Sequence, residues 1–245
     1  MDYRVYKLKP RQLWKCMGKA VLLGAALTYL FYDSWLGFLL IPLLFLIIKR
    51  REIRKGEKEL QRELAKEFLD ALRSVGASLL AGLSMENAWR EAKREIDRLY
   101  GEDSLLGREL EVINHSVGYN MPLEQLLSDF GERSGNADIA SFAEVFAFAK
   151  RSGGNFVTII EGTTEHMRAA YETEREIQVL VASRKMEQKV MNVMPMLILA
   201  YLKLTSPGFL DVLYGNIPGV CFMSVCLLLY GGALVLAEKI LSIRM

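Results

Sequence analysis

Apolar and charged positions along this 245-residue chain are sorted into blocks. Residues 20–48 hold one charged side chain, Asp33, and residues 212–237 hold none, while residues 56–188 are densely charged. A soluble domain mixes the two kinds of residue, whereas this segregation predicts membrane segments flanking a water-exposed middle. As one helix, residues 20–48 would rise about 43 Å at about 1.5 Å per residue, too long for a hydrocarbon core of about 30 Å without strong tilt. Asp33 would also lie near the centre of that helix, where a lone carboxylate is costly. A hairpin removes both problems, with "YDSW" as its outer turn and Tyr32 and Trp35 as interfacial aromatics. Its first arm is extended by residues 13–17, and Lys15 and Lys19 snorkel to the interface. A second hairpin is predicted at the other end of the chain. A helix through "VMNVMPMLILAYLKL" meets the turn-rich "TSPGFLDVLYGNIPG", and residues 220–236 return to Glu238, Lys239 and Arg244. Pro195 falls inside the third span, where membrane helices tolerate proline, and Tyr201 and Lys203 mark the outer interface.

Within the charged middle, Leu64, Phe68, Leu72, Val75 and Leu79 recur at helical spacing, and no stretch alternates with the period of a strand. The breaks fall at glycines and capping residues. Gly82 precedes Ser84, which caps the next helix, and Gly101 closes that helix before Ser104. Gly118 closes the following one, with Asn120 next and Pro122 in a first turn. Asn136 opens "ADIASFAEVFAFAKR", and a long helix begins at Phe156 and runs toward the third span. The prediction is an all-α chain, with two transmembrane hairpins (four spans) flanking an antiparallel six-helix bundle.

Charge adds a direction. Residues 1–19 carry six Lys/Arg against Asp2, and residues 49–55 carry five against Glu52. Residues 56–188 carry 16 against 24 Asp/Glu, a net of about −8. Basic membrane borders mark the cytoplasmic side, so both termini and the middle domain are expected in the cytoplasm. An acidic domain is the opposite of a nucleic-acid surface. The predicted divisions are a basic tail (1–19), a hairpin (20–48), the bundle (56–188), a hairpin (189–238) and a tail (239–245).

The stretch "KRSGGNFVTI" raises the question of a phosphate-binding loop. It lacks the lysine and the preceding strand of a Walker loop, and the third glycine of a dinucleotide loop. A helix stop followed by an Asn cap explains it better. His115 and His166 lie far apart in sequence, and Cys16, Cys221 and Cys226 fall in or beside apolar segments without a CxxC pair. No GxSxG elbow is present. No catalytic, cofactor or metal residue is assigned, and an enzyme is not expected. Two rivals are a transporter subunit, which calls for polar or broken helices at mid-membrane depth, and a membrane-embedded enzyme or scaffold, whose intramembrane ionisable groups are scarce here.

Four short stretches add a resemblance. "FLDALRSVGASLLAGLSMENAWREA" resembles the first helix–turn–helix of the F domain of the type II secretion family, through Ala81, Gly82 and Ser84. "GYNMPLEQLLSDFGERSG" is similar to its second turn, through Gly118, Pro122 and Leu123. "EVFAFAKRSGGNFVTIIEGTTEHMR" resembles the third, through Gly153, Gly154 and Asn155, and "LILAYLKLTSPGFLDVLYGNIPGV" resembles the outer turn of the tight-adherence pilus branch, through Pro207. General secretion F proteins carry two copies of the domain; this chain has one, like the tight-adherence branch. The resemblance implies an inner-membrane platform protein of a pilus or secretion machine that binds no cofactor. Its implied partners are a cytoplasmic hexameric ATPase, a second similar platform protein, pilin subunits and membrane lipid, in a homo- or hetero-oligomer. The turn residues are then structural or partner-contact positions.

Overall fold

The computed structural model describes residues 3, 10–32, 40–206, 208 and 216–243. Asp33, Trp35, Pro207 and Arg244, which the sequence reading singles out, lie outside the described residues. Every regular element among the described residues is helical. In order they are α1 (Pro10–Leu27), a π-helical turn (Thr28–Tyr32), α2 (Leu40–Leu80), α3 (Met85–Tyr100), α4 (Leu105–Gly118), α5 (Leu123–Ser134), α6 (Ala137–Ser152), α7 (Phe156–Thr205) and α8 (Ile217–Ile243). Two compact units result. One joins Met1–Lys7 to Ile53–Glu172; the other joins Leu8–Glu52 to Thr173–Met245.

The first unit contains the later part of α2, all of α3 to α6 and the start of α7. Its core is built on the stripe read from the sequence, with Leu64, Phe68, Leu72 and Val75 wholly buried. Phe68 is the hub. Its ring centroid lies 6.5 Å from that of Trp89 on α3, 6.1 Å from Phe130 on α5 and 5.4 Å from Phe142 on α6. Leu106, Leu110 and Ile113 bring in α4, and Phe146 stacks toward Phe156 at the start of α7. Such aromatic pairs add about 0.5–1.5 kcal/mol each beyond the area they bury.

Contacts near both ends of each pair make three pairs antiparallel. In α2 and α7, Gly76 approaches Ile160 while the Arg62 guanidinium lies 5.3 Å from the Tyr171 ring centre. In α3 and α4, Asn114 Nδ2 donates to Trp89 O at 3.4 Å, and Gly107 lies against Asp97. In α5 and α6, Lys150 Nζ meets Glu124 Oε2 at 2.7 Å, and Gly131 packs on Ala140. The compact unit ends at Glu172, short of residue 188, because residues 172–176 are exposed and Met167 and Tyr171 are the last α7 side chains held near the core.

α4 ends at Gly118, and Asn120, two residues on, takes the left-handed conformation with φ 62°. One local expectation is corrected. Pro122 is the N-cap of α5 instead of its first helical residue. Asn tolerates the left-handed region through local hydrogen bonding of its short side chain, so the chain can turn without glycine.

The second unit has its own apolar cluster. Leu27, Leu30 and Phe31 meet Met223 of α8, with Leu44 of α2 and Met196, Leu199 and Ala200 of α7 around them. Gly24 allows α1 and α2 to approach closely, since a Cβ there would come within 2.5 Å of Ile41 Cγ1. Pro195 in α7 removes the N–H that would bond the Met191 carbonyl. One turn away in space, the Tyr230 hydroxyl donates to Asn192 O. Among the described residues one segment, Pro218–Ala237, is long and apolar enough to cross a membrane, and little of it is fully buried.

Candidate functional site

Three helix reversals lie at one end of the bundle, where α2 ends and α7 begins. They are tied together by the Gly76–Ile160, Trp89–Asn114 and Glu124–Lys150 contacts. All three have the same backbone design. After α2, Gly82 N donates to Leu79 O and Leu83 N to Ser78 O, both at 3.0 Å, with Gly82 at φ 85°. After α4, Asn120 N donates to Val117 O at 2.9 Å and Met121 N to Ser116 O at 3.2 Å. After α6, Gly154 N donates to Ala149 O at 2.9 Å, with Gly153 left-handed at φ 71°. These are Schellman stops, in which the residue past the left-handed one reaches back five positions to an orphan carbonyl.

In each turn the next N-cap falls two residues after the left-handed position: Ser84 after Gly82, Pro122 after Asn120 and Asn155 after Gly153. Ser84 Oγ accepts from Asn87 N at 3.4 Å, and Asn155 Oδ1 accepts from Val157 N at 3.1 Å. The other two reversals use different spacings. Gly101 is followed by Ser104, and left-handed Gly135 by Asn136.

This end therefore collects nine of the turn residues named from the sequence: Ala81, Gly82, Ser84, Gly118, Pro122, Leu123, Gly153, Gly154 and Asn155. Only Leu123 among them is buried, as part of the core. The same end exposes large apolar side chains. Tyr119 is 72% exposed and Leu80 67%, with Leu83 and Met121 also uncovered. Scattered single apolar residues are ordinary on a protein surface, but several at the tips of adjoining turns form the kind of surface a partner covers. Lys150 holds the Glu124 carboxyl below its usual range here, through a direct hydrogen bond.

The glycine pair is not an anion cradle. The N–H groups of Gly153 and Gly154 both point back to Ala149 O, so neither faces a ligand. His115 and His166 are exposed, and His115 packs edge-on against Tyr119 at 4.9 Å. Among the described residues no group of three or more His, Cys, Asp or Glu is placed to hold a metal.

The opposite end of the bundle carries a polar network without a local sequence signal. Arg133 donates to both carboxylate oxygens of Glu109, at 3.2 and 3.0 Å, and its Nε reaches Asp129 at 2.9 Å. The Tyr3 hydroxyl lies 3.1 Å from Glu109 Oε1 and 3.2 Å from Leu105 O, and Tyr3 N donates to Arg133 O. Burial is the largest influence on the Glu109 carboxyl and pushes it up, but hydrogen bonding and opposite charge, those of Arg133 foremost, together hold the group below its ordinary range. Glu67, also buried, accepts from Leu106 N at 2.7 Å and so caps α4 from a neighbouring helix. Burial dominates there and raises its carboxyl. Tyr3, Glu109 and Arg133 are brought together by tertiary folding alone, across more than a hundred residues between Tyr3 and Glu109.

No family model, curated protein or solved structure matches the chain.

Proposed function

We propose that this chain is a non-enzymatic inner-membrane platform protein of a type IV (tight-adherence-like) pilus or a type II secretion machine. In this reading four spans, paired as two hairpins, hold the helical bundle in the cytoplasm with both termini. The bundle would take up motion from a hexameric ATPase and pass it to the spans, which lift pilin subunits from the bilayer. A second, similar platform protein would complete the assembly.

The observation that supports this most is the coincidence at one bundle end. Three reversals of one backbone design gather the residues that carry the family resemblance, and exposed Leu80, Leu83, Tyr119 and Met121 accompany them. Rigid turns on a packed scaffold are suited to receiving a mechanical partner, because side chains there are held without large ordering cost on binding. The long apolar segment Pro218–Ala237, little of it fully buried, supports the membrane part of the reading.

The deciding experiment is mass spectrometry of what co-purifies with the full-length protein, solubilised in mild detergent from its native cells. Recovery of a hexameric ATPase and a related membrane protein is the expected result. A stable preparation that yields neither would overturn the platform reading. Replacing Leu80 and Tyr119 by Ser should remove the ATPase while leaving the membrane partner.

A further inference from the structure

We propose that the cationic end of the α1–α2 pair is a seat for the headgroups of anionic phospholipids. The proposal rests on the membrane reading of the unit formed by Leu8–Glu52 and Thr173–Met245. It adds a lipid class and the residues that select it.

The register of the two helices carries the inference. Gly24 packs against Ile41, and Lys19 Nζ meets Glu52 Oε1 at 3.0 Å, so α1 and α2 run antiparallel in a defined alignment. Counting from the Gly24–Ile41 contact at about 1.5 Å per residue, Lys49 lies about 12 Å along α2 and Lys15 about 14 Å along α1. Lys19 lies nearer, about 8 Å along α1, so the cationic stretches of the two helices overlap in height. Arg50 follows at the same level on α2, and Arg11 lies one turn beyond Lys15 on the same stripe of α1.

These charges are not used internally. The sole acid between Lys49 and Lys55 is Glu52, and Lys19 occupies it. Among the described residues no carboxylate pairs with Arg11, Lys15, Lys49 or Arg50. The contrast with Lys203 is informative, since that ammonium donates to Tyr29 O at 2.6 Å and lies 3.9 Å from the Tyr29 ring centre.

The apolar surroundings complete the site. Trp14, 71% exposed, stands beside the cation stripe, and Met17, Val21 and Leu22 continue outward-facing below it. An indole at headgroup depth with acyl-facing side chains beneath and unpaired cations alongside matches an anionic phospholipid at both of its ends. An acidic peptide would leave Leu22 and Val21 facing water.

The test uses the full-length protein throughout. It is first offered phosphatidylcholine vesicles and floated on a density gradient; failure to float and resist alkaline extraction would remove the membrane reading itself. Inserted protein is then extracted in mild detergent from bilayers of equal phosphatidylcholine and phosphatidylglycerol, and retained lipid is identified by native mass spectrometry. Phosphatidylglycerol should be enriched several-fold, and the enrichment should shrink as salt rises.

The combined variant Arg11→Gln, Lys15→Gln, Lys49→Gln and Arg50→Gln should still insert but retain the two lipids in their bilayer ratio. A control with the same charge change on the bundle, Arg90→Gln, Arg94→Gln, Arg98→Gln and Arg151→Gln, should keep the enrichment. Equal retention by the unaltered protein overturns the proposal while leaving insertion intact. Enrichment that survives the first variant, or is lost in both, overturns it as well. Should the first variant not purify, the salt dependence of the unaltered protein decides.

Discussion

Gly82 and Gly131 show two reasons for glycine in one bundle. At Gly82 the backbone is left-handed and a Cβ would meet nothing within 4 Å, so only conformation demands glycine. At Gly131 the backbone is helical, but a Cβ would lie 3.1 Å from Ala140 Cα, so glycine lets α5 and α6 pack closely. Gly82→Val should cost about 1–2 kcal/mol through backbone strain alone. It should appear as a lower melting temperature of the purified protein, followed by Trp fluorescence; an unchanged melting temperature would refute the strained assignment.

The two buried carboxylates make opposite predictions at the same scale. Glu109 has a lowered folded pKa, so it stabilises above the ordinary carboxylate value, and that contribution is lost as pH falls through the lower folded value. Glu67 has a raised folded pKa, so its charged form is a liability at neutral pH that is relieved as pH falls through the raised value. Glu109→Gln should therefore destabilise by about 1–3 kcal/mol at neutral pH. Glu67→Gln should be neutral or stabilising there, and both differences should vanish in acid. Melting temperatures of the two variants across the acid range check this, and parallel pH profiles would refute it.

Helix ends were the most legible elements in the sequence, because caps and stops are local chemistry. Ser84, Ser104 and Asn136 stand at helix N-caps, and each side chain accepts an orphan N–H. α4 ends at Gly118, while the left-handed residue of that turn is Asn120, two positions on. Cap strength follows geometry. Asn136 Oδ1 accepts from two N–H groups, at 2.9 and 3.2 Å, whereas Ser84 accepts one at 3.4 Å. Asn136→Ala should cost about 1–2 kcal/mol and Ser84→Ala about 0.5 kcal/mol. The reverse order in thermal melting would count against the capping geometry. Where helices run on, the sequence misled slightly. The charge change at Lys49 reads as a segment boundary, yet α2 continues from Leu40 to Leu80 because charged residues are good helix formers and its one proline, Pro42, lies in the first turn.

For the whole molecule, topology gives the sharpest prediction. Alkaline phosphatase fused after Asp33 should be active, and fused after Gly101 inactive, if the bundle is cytoplasmic and the first hairpin has an outer turn. The reverse pattern in whole-cell phosphatase assays would overturn that orientation. The sequence by itself determined the all-helical class, the apolar stripe of α2 and most helix stops, because periodicity, propensity and capping act within a few residues. Only the tertiary structure decided that three separate reversals share one bundle end, that Tyr3, Glu109 and Arg133 form one network, and that the cationic stretches of α1 and α2 lie side by side. Those facts depend on which helices pack together and in what register. That is set by Phe68, Trp89, Phe130 and Phe142 converging in the bundle core, and by Gly24 meeting Ile41 in the second unit, through contacts between residues distant in the chain.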